Sequence, residues 1–176
     1  VPKADTPDSA ATPAIPDSPA TPDSADIRVA VSSADLETVH AIRREVFIVE
    51  QNVPEDEEWD DLDATSLHLL AFGADGTPLG TGRLIHGEQA LKITGREGAV
   101  LLGRLAVSAA ARGTGLGVAL VRAIEEQGRA RGAVELELHA QTHALGFYER
   151  LGYVAEGPEY LDGGIPHRTM TRSLAG

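Results

Sequence analysis

The 176-residue chain contains no cysteine, one tryptophan and one methionine, and aromatic residues make up only 4% of it. Without a thiol there is no disulfide framework, thiolate nucleophile, iron–sulfur cluster or zinc–thiolate site. No apolar run approaches the ~20 residues of a membrane span, and the first residues lack the basic-then-apolar layout of a signal peptide. The expectation is therefore a cytoplasmic protein with no membrane partner. Positive charge is scarce too: 15 Lys and Arg stand against 27 Asp and Glu, a formal charge of −12. Nonspecific nucleic-acid binding depends on cation–phosphate contacts and is excluded on that balance, whereas cationic partners are attracted. What is present is 42% apolar residues. A chain near ~150 residues can bury roughly 70% of its unfolded surface in one domain.

Residues 1–26 differ from the rest. They hold six of the ten prolines, and Thr6-Pro7-Asp8-Ser9-Ala10 recurs as Thr21-Pro22-Asp23-Ser24-Ala25. Such a stretch buries too little apolar surface to offset its ordering entropy, which predicts a disordered tail followed by one domain over 27–176. In that domain the periodicities alternate between two and 3.6 residues. Ile27–Val31 reads as a strand. Ser33 caps a helix with apolar positions at Leu36, Val39, Ile42, Val46, Phe47 and Val49. An acidic loop follows Pro54, then a hairpin of Ser66–Phe72 and Leu79–Ile85 around Asp75-Gly76-Thr77-Pro78. A polar loop leads to an apolar strand over 100–107. The clearest helix carries Leu116, Ala119, Leu120, Ala123 and Ile124 on one face and ends at Gly132. A strand at 134–140, a short helix to Leu151, and strands at Tyr153–Ala155 and His167–Thr171 complete an α/β domain with a mixed sheet.

The most informative stretch is Arg112-Gly113-Thr114-Gly115-Leu116-Gly117, between the apolar strand and the amphipathic helix. Alternate glycines let a ligand approach the backbone, and the first helical turn presents unpaired N–H groups with partial positive charge. Together with the Arg112 cation they make a site for phosphate or diphosphate. A Walker loop is excluded because no Lys follows the glycines. A Rossmann-type NAD(P) enzyme stays as an alternative, since Glu135 or Glu137 falls near the place of a ribose-binding acid, although Val118 stands where Gly or Ala belongs.

The spacing Arg-x-x-Gly-x-Gly resembles the acyl-CoA diphosphate motif of the GCN5-related N-acetyltransferases (GNAT superfamily). Gly103-Arg104-Leu105-Ala106-Val107 precedes it, and Gln141-x-x-Ala144-x-x-Phe147-Tyr148-Glu149-x-x-Gly152-Tyr153 follows at the usual place. The ElaA-like branch is suggested by Val46-Phe47-Ile48-Val49-Glu50-Gln51, by Asp60-Asp61-Leu62-Asp63 with His68, and by Gly163-Gly164-Ile165-Pro166-His167. Gln141 departs from the Asn that many members carry. The resemblance implies a mostly antiparallel sheet whose central strands, about 100–107 and 134–140, splay apart to hold the pantetheine arm of acetyl-CoA. It implies a cofactor-binding set of Leu105, Ala106, Val107, Arg112, Gly113, Thr114, Gly115, Leu116, Gly117, Gln141, Ala144 and Phe147. Backbone N–H groups near Leu105–Val107 would bind the thioester oxygen. Tyr148 would protonate the departing thiolate.

The implied activity is acetyl transfer from acetyl-CoA to a primary amine by direct attack, with a non-catalytic acyl-CoA sensor as the alternative from a different class. The base that deprotonates the amine is open between Glu50 and His139. The acceptor side is read as Glu50, Trp59, Asp61, His68, Glu159 and His167. Seven carboxylates between Glu55 and Asp63 crowd around Trp59, an arrangement suited to a cationic small-molecule or peptide amine. Six histidines raise the question of a metal, but there is no His-Glu-x-x-His, and His139 and His143 span a strand end and a helix start, so no metal is expected. The resemblance also allows a homodimer.

Overall fold

The structure is a computed structural model and describes residues 26–175, so residues 1–25 of the proline-rich tail lie outside the described residues, while Asp26, read as the end of that tail, begins the first strand. The strands are β1 (Asp26–Val29), β2 (Leu67–Phe72), β3 (Pro78–Ile85), β4 (Ala99–Val107), β5 (Glu135–Gln141), β6 (Val154–Asp162) and β7 (Ile165–Ser173). They lie in the order β1-β2-β3-β4-β5-β7-β6. Every neighbouring pair is antiparallel except β4 and β5, which are parallel. This is the mixed, mostly antiparallel sheet expected from the sequence. It removes the Rossmann alternative, which needs a parallel doubly wound sheet.

The helices are α1 (Ser33–Arg43), α2 (Glu55–Glu58), α3 (Gly87–Thr94), α4 (Leu116–Ala130) and α5 (Leu145–Arg150). On one face of the sheet, Val39, Ile42, Val46 and Phe47 cover Leu70 and Ala106. Ala90 of α3 joins Ile85 and Leu101 on that side. On the other face, Leu116, Leu120, Val121 and Ile124 of α4 and Phe147 and Tyr148 of α5 pack on Leu84, Val100, Leu102, Leu136 and Leu138. Close approach of α4 to β3 needs Gly82. A Cβ there would meet Ile124 Cδ1 at 2.6 Å.

Several elements differ from their sequence reading. The cap of α1 is Ser32 rather than Ser33; its hydroxyl accepts from Asp35 N, and Asp35 returns the bond to the cap backbone. After Arg43 the coil widens into a π-helix over Arg44–Glu50, with Gln51 N donating to Val46 O. The wider turn rotates the last residues off the 3.6 period, which is why Val49 lies exposed rather than on the apolar face. Helix α3 occupies what read as a polar loop. Leu91 and Ile93 are exposed and Ala90 alone is buried, so there is no apolar stripe to find. The closing hairpin is longer than its apolar cores, because Gly163 and Gly164 turn β6 into β7 while β6 carries mostly exposed side chains.

The acidic segment is not a solvated loop. Arg43, fully buried, donates from Nε to Glu58 Oε2 at 2.8 Å, from Nη1 to Asp63 Oδ1 at 2.8 Å and from Nη2 to Glu58 O at 3.0 Å. Arg83 reaches Asp60 at 2.8 Å and Asp63 at 2.9 Å. Arg104 reaches Glu58 at 3.1 Å and Asp60 at 3.2 Å. Glu55 pairs with Arg44 and accepts from the Trp59 indole. Burial pushes the Glu58 carboxyl up against the opposing pull of Arg104 and Arg43. Burial acts on Asp63 in the same sense, but the hydrogen bonds and charges of Arg43 and Arg83 outweigh it and hold Asp63 at about 2.

Removing one member of such a network leaves a buried charge uncompensated. Arg43→Met should cost about 3–5 kcal/mol and lower Tm by roughly 10 °C in a thermal melt; a Tm within about 2 °C of wild type would mean that the network is energetically neutral. Because the Asp63 carboxyl lies below its ordinary value, its contribution is complete above the ordinary carboxylate range and is lost as pH falls towards 2. Asp63→Asn should therefore destabilise the protein at neutral pH and lose that effect in strong acid.

Candidate active site

The site begins where β4 and β5 stop pairing. Their register runs Ala99↔Glu135, Val100↔Leu136, Leu101↔Glu137 and Leu102↔Leu138, and goes no further. On its other side β4 has an irregularity against β3, where Arg104 and Leu105 together oppose Gly82. Arg104 sits at φ +49°, in the left-handed region that a non-glycine residue rarely occupies. The extra residue turns the second half of β4 away from β5. The ion pairs of the Arg104 guanidinium with Glu58 and Asp60 hold it there.

The resulting cleft, about 80 Å³, is walled by Gly103, Arg104 and Leu105 on one strand and by Leu138, His139, Ala140 and Gln141 on the other, with Phe47, Leu102, Ala144 and Tyr148 completing it. Of the residues expected there, Leu105, His139, Gln141, Ala144 and Tyr148 line it. Phe147 does not; it is buried beside Tyr148, ring centroids 4.8 Å apart at 76°. Tyr153 stands behind Tyr148 at 6.0 Å and donates its hydroxyl to the buried Glu125 at 2.7 Å. Burial and the Glu125 carboxylate push the Tyr153 phenol well above its ordinary range. Arg104 and Phe47 were missed from sequence as cleft residues. A positive φ inside a strand leaves no trace in composition, and Phe47 reads as core in any helical period.

At the outer end of β4 the loop bonds are Ala111 N to Ser108 O and Arg112 N to Ala109 O, and Ala119 N to Gly115 O opens α4. The amides of Gly113, Gly115 and Gly117 take part in none of the turn or cap bonds among the described residues. Gly113 and Gly115 have φ of +81° and +89°, and a Cβ on Gly113 would meet nothing within 4 Å. The loop is thus an open cradle of donors at a helix N-terminus, with the chemistry to hold a diphosphate. Arg112 is tethered beside it: its Nε donates to Val107 O at 3.1 Å and its guanidinium pairs with Glu50. Leu105, Ala106 and Val107 are buried on β4, between the cleft and this loop.

The π-helix closes the mouth. Glu50 reaches Arg112 on the β4 side, and Gln51 Oε1 accepts from Gln141 Nε2 at 3.1 Å on the β5 side. The other residues expected on the acceptor side are not drawn together here. Trp59 packs against the His40 ring at 4.9 Å and under the guanidinium of Arg43 at 5.2 Å. His68 is buried with Nε2 3.0 Å from Asp63 O, and burial lowers its pKa. Asp61 and Glu159 are exposed. His167 is buried on β7, its Nδ1 2.7 Å from Ile165 O. Among the described residues no group of three or more His, Asp or Glu is arranged to hold a metal ion. No helix of the described residues is long and apolar enough to cross a membrane.

A forked sheet with a donor-rich glycine turn at the fork's open end defines a class, the acyl-CoA-dependent transferases of the GNAT fold. Residues 30–174 match the acetyltransferase (GNAT) domain model, and the chain belongs to that family. It is 34% identical over 145 residues to the uncharacterized N-acetyltransferase YjcF of Bacillus subtilis, covering 82% of this chain and 96% of that one. With the protein ElaA of Escherichia coli it shares 31% over 146 residues, covering 82% and 91%. An acyl-CoA N-acyltransferase from Pseudomonas aeruginosa superposes with a TM-score of 0.73 at 36% identity, over 85% of this chain and 99% of that one. The ElaA crystal structure gives 0.70 at 28%, over 84% and 99%. At 18% identity the synthase LasI shares the fold, with a TM-score of 0.68 over 85% of this chain and 90% of that one.

Two substitutions test the cradle. Gly115→Val should weaken CoA binding at least about tenfold by calorimetry, since it places a β-branched side chain at a left-handed position that shapes the cradle. Glu50→Gln removes the carboxylate that competes for Arg112 and should tighten CoA binding roughly fivefold, the worth of about 1 kcal/mol in a partly exposed ion pair. Weaker binding in Glu50→Gln would instead assign Glu50 to holding Arg112 in place.

Proposed function

We propose that the protein transfers an acetyl group from acetyl-CoA to a primary amine by direct attack, without an acyl-enzyme intermediate. The carrying observation is that the parting of β4 and β5 leaves a cleft lined by Tyr148, beside the strand that runs on to the glycine cradle. The donor fits in two respects. The free amides of the cradle suit a diphosphate. The cleft between Leu105 and Leu138 has little enclosed room, which favours acetyl over long acyl chains. In this reading backbone N–H groups along Leu105–Val107, past the last position of β4 that pairs with β5, bind the thioester oxygen as an oxyanion hole. The 176 residues offer no cysteine as an alternative nucleophile.

In this reading an ammonium acceptor loses one proton before attack. Its nitrogen then bonds the carbonyl carbon, the C–S bond breaks, and the nitrogen gives up a second proton. Tyr148 donates to the departing thiolate, so one proton reaches solvent per turnover. A phenol suits that task because its pKa lies within roughly 1.5 units of a thiol's. Of the two candidate bases, His139 lines the cleft and Glu50 is engaged by Arg112, which favours His139. A cationic amine is the acceptor class favoured by the net charge of −12. The pairing of Glu58, Asp60 and Asp63 with arginines leaves that attraction to the surface as a whole rather than to one carboxylate rim. A donor drawn from the acetyl-CoA pool supports a cytoplasmic setting.

Thermal-shift measurement with acetyl-CoA, CoA and NAD(P), followed by free-thiol detection over a panel of polyamines, aminoglycosides and lysine peptides, tests the reading. Ligand at 100 times its Kd stabilises by about 2.7 kcal/mol. CoA stabilisation without thiol release from any amine would identify a sensor rather than an enzyme. Tyr148→Phe should lower kcat about 10²-fold or more with CoA affinity unchanged. For a cationic acceptor KM should rise as salt screens the surface.

A further inference from the structure

We propose that Glu137 is the positioning residue of the active-site base: held by Arg96, it orients the His139 ring at the fork of the sheet. This deepens the transferase reading and rests on it. The last paired position of the parallel ladder is Leu102↔Leu138, so His139 is the first residue of β5 past the fork, and it lines the cleft. Residues two apart on a strand share a face, which puts Glu137 directly beside it. Glu137 Oε2 lies 2.7 Å from His139 Nε2. The other oxygen, Oε1, accepts from Arg96 Nη2 at 2.9 Å, while Arg96 Nε holds Glu135 at 2.8 Å. The carboxylate is 10% exposed and is fixed from both ends.

A carboxylate at Nε2 selects the tautomer that carries its hydrogen there, leaving Nδ1 to accept a proton. Its charge also steadies the imidazolium once that proton arrives. On its other side the ring meets an aromatic neighbour. The Tyr160 ring of β6 meets it edge-on at 6.2 Å and is itself stacked on His167 of β7 at 5.9 Å. The charged or titratable groups around it are Glu137 on its own strand with Arg96 behind, Glu156, Tyr160 and His167 from the closing hairpin, and Arg104 across the cleft. In the transfer, Nδ1 takes the first proton of the ammonium and passes it to water; the second proton and the thiolate are accounted for as above.

15N NMR of the imidazoles in the CoA-bound protein, which reads the tautomer, and the pH profile of kcat/KM with the fastest amine of the panel test the assignment. Glu137→Gln removes the charge and should cost the Nε2–H tautomer its preference, displace the acidic limb of the profile to lower pH, and reduce kcat roughly tenfold with KM for acetyl-CoA unchanged. Arg96→Gln, an exposed change that leaves the carboxylate in place, should keep the tautomer while displacing the limb the opposite way, and serves if Glu137→Gln does not fold. A carboxylate with a merely structural role would alter Tm while changing neither tautomer nor limb, and that result overturns the proposal, as does wild-type kcat in His139→Asn. If no amine of the panel is acetylated, the transferase reading fails together with the base role. The imidazole tautomer still decides separately whether Glu137 governs the ring.

Discussion

The cleft exists because β4 is held out of register. An extra residue at Arg104, in a backbone conformation costly for a side-chain-bearing residue, turns the strand after four paired positions with β5. Such a kink persists only if its surroundings over-determine it. Here the Arg104 guanidinium reaches out to Glu58 and Asp60, which are in turn organised by Arg43 and Arg83. The acidic segment that looked like a rim for ligands is, on this geometry, the brace that keeps the sheet open. Three carboxylates and three guanidiniums largely cancel one another in charge, and their value lies in direction rather than in field.

The π-helical end of α1 is the second structural device. Its widened turn brings three side chains to the cleft from one short segment: Phe47 into the wall, Glu50 onto Arg112 and Gln51 onto Gln141. It therefore spans both arms of the fork, touching the β4 side through a charge and the β5 side through an amide. A regular α-helix would have carried Glu50 and Gln51 round to a different face.

Much of this was legible in residue types. The alternation of Leu136 and Leu138 with Glu135, Glu137 and His139, the helical stripe of α4, and Gly113 and Gly115 before it follow from local rules of side-chain period and backbone freedom. The sequence also pointed to His139, Gln141, Ala144 and Tyr148, and all four line the cleft. Trp59, Asp61, His68, Glu159 and His167 were legible only as unusual residues. A histidine among leucines or a tryptophan among carboxylates marks a special environment without saying whether it is a site or a brace, because the arginines that organise the surrounding carboxylates lie elsewhere in the chain. Arg43 and Glu58 are fifteen residues apart, and Arg104 and Asp60 forty-four.

The chain alone determined the family, the order of the strands and of the helices α1, α4 and α5, and the glycine turn, since each depends on spacing within a few tens of residues. Only the folded molecule decided which carboxylates meet an arginine, where β4 kinks, and that Glu137 rather than a more distant group stands beside His139. Those outcomes depend on burial and on which charges meet, and both are settled by long-range packing that no local pattern records.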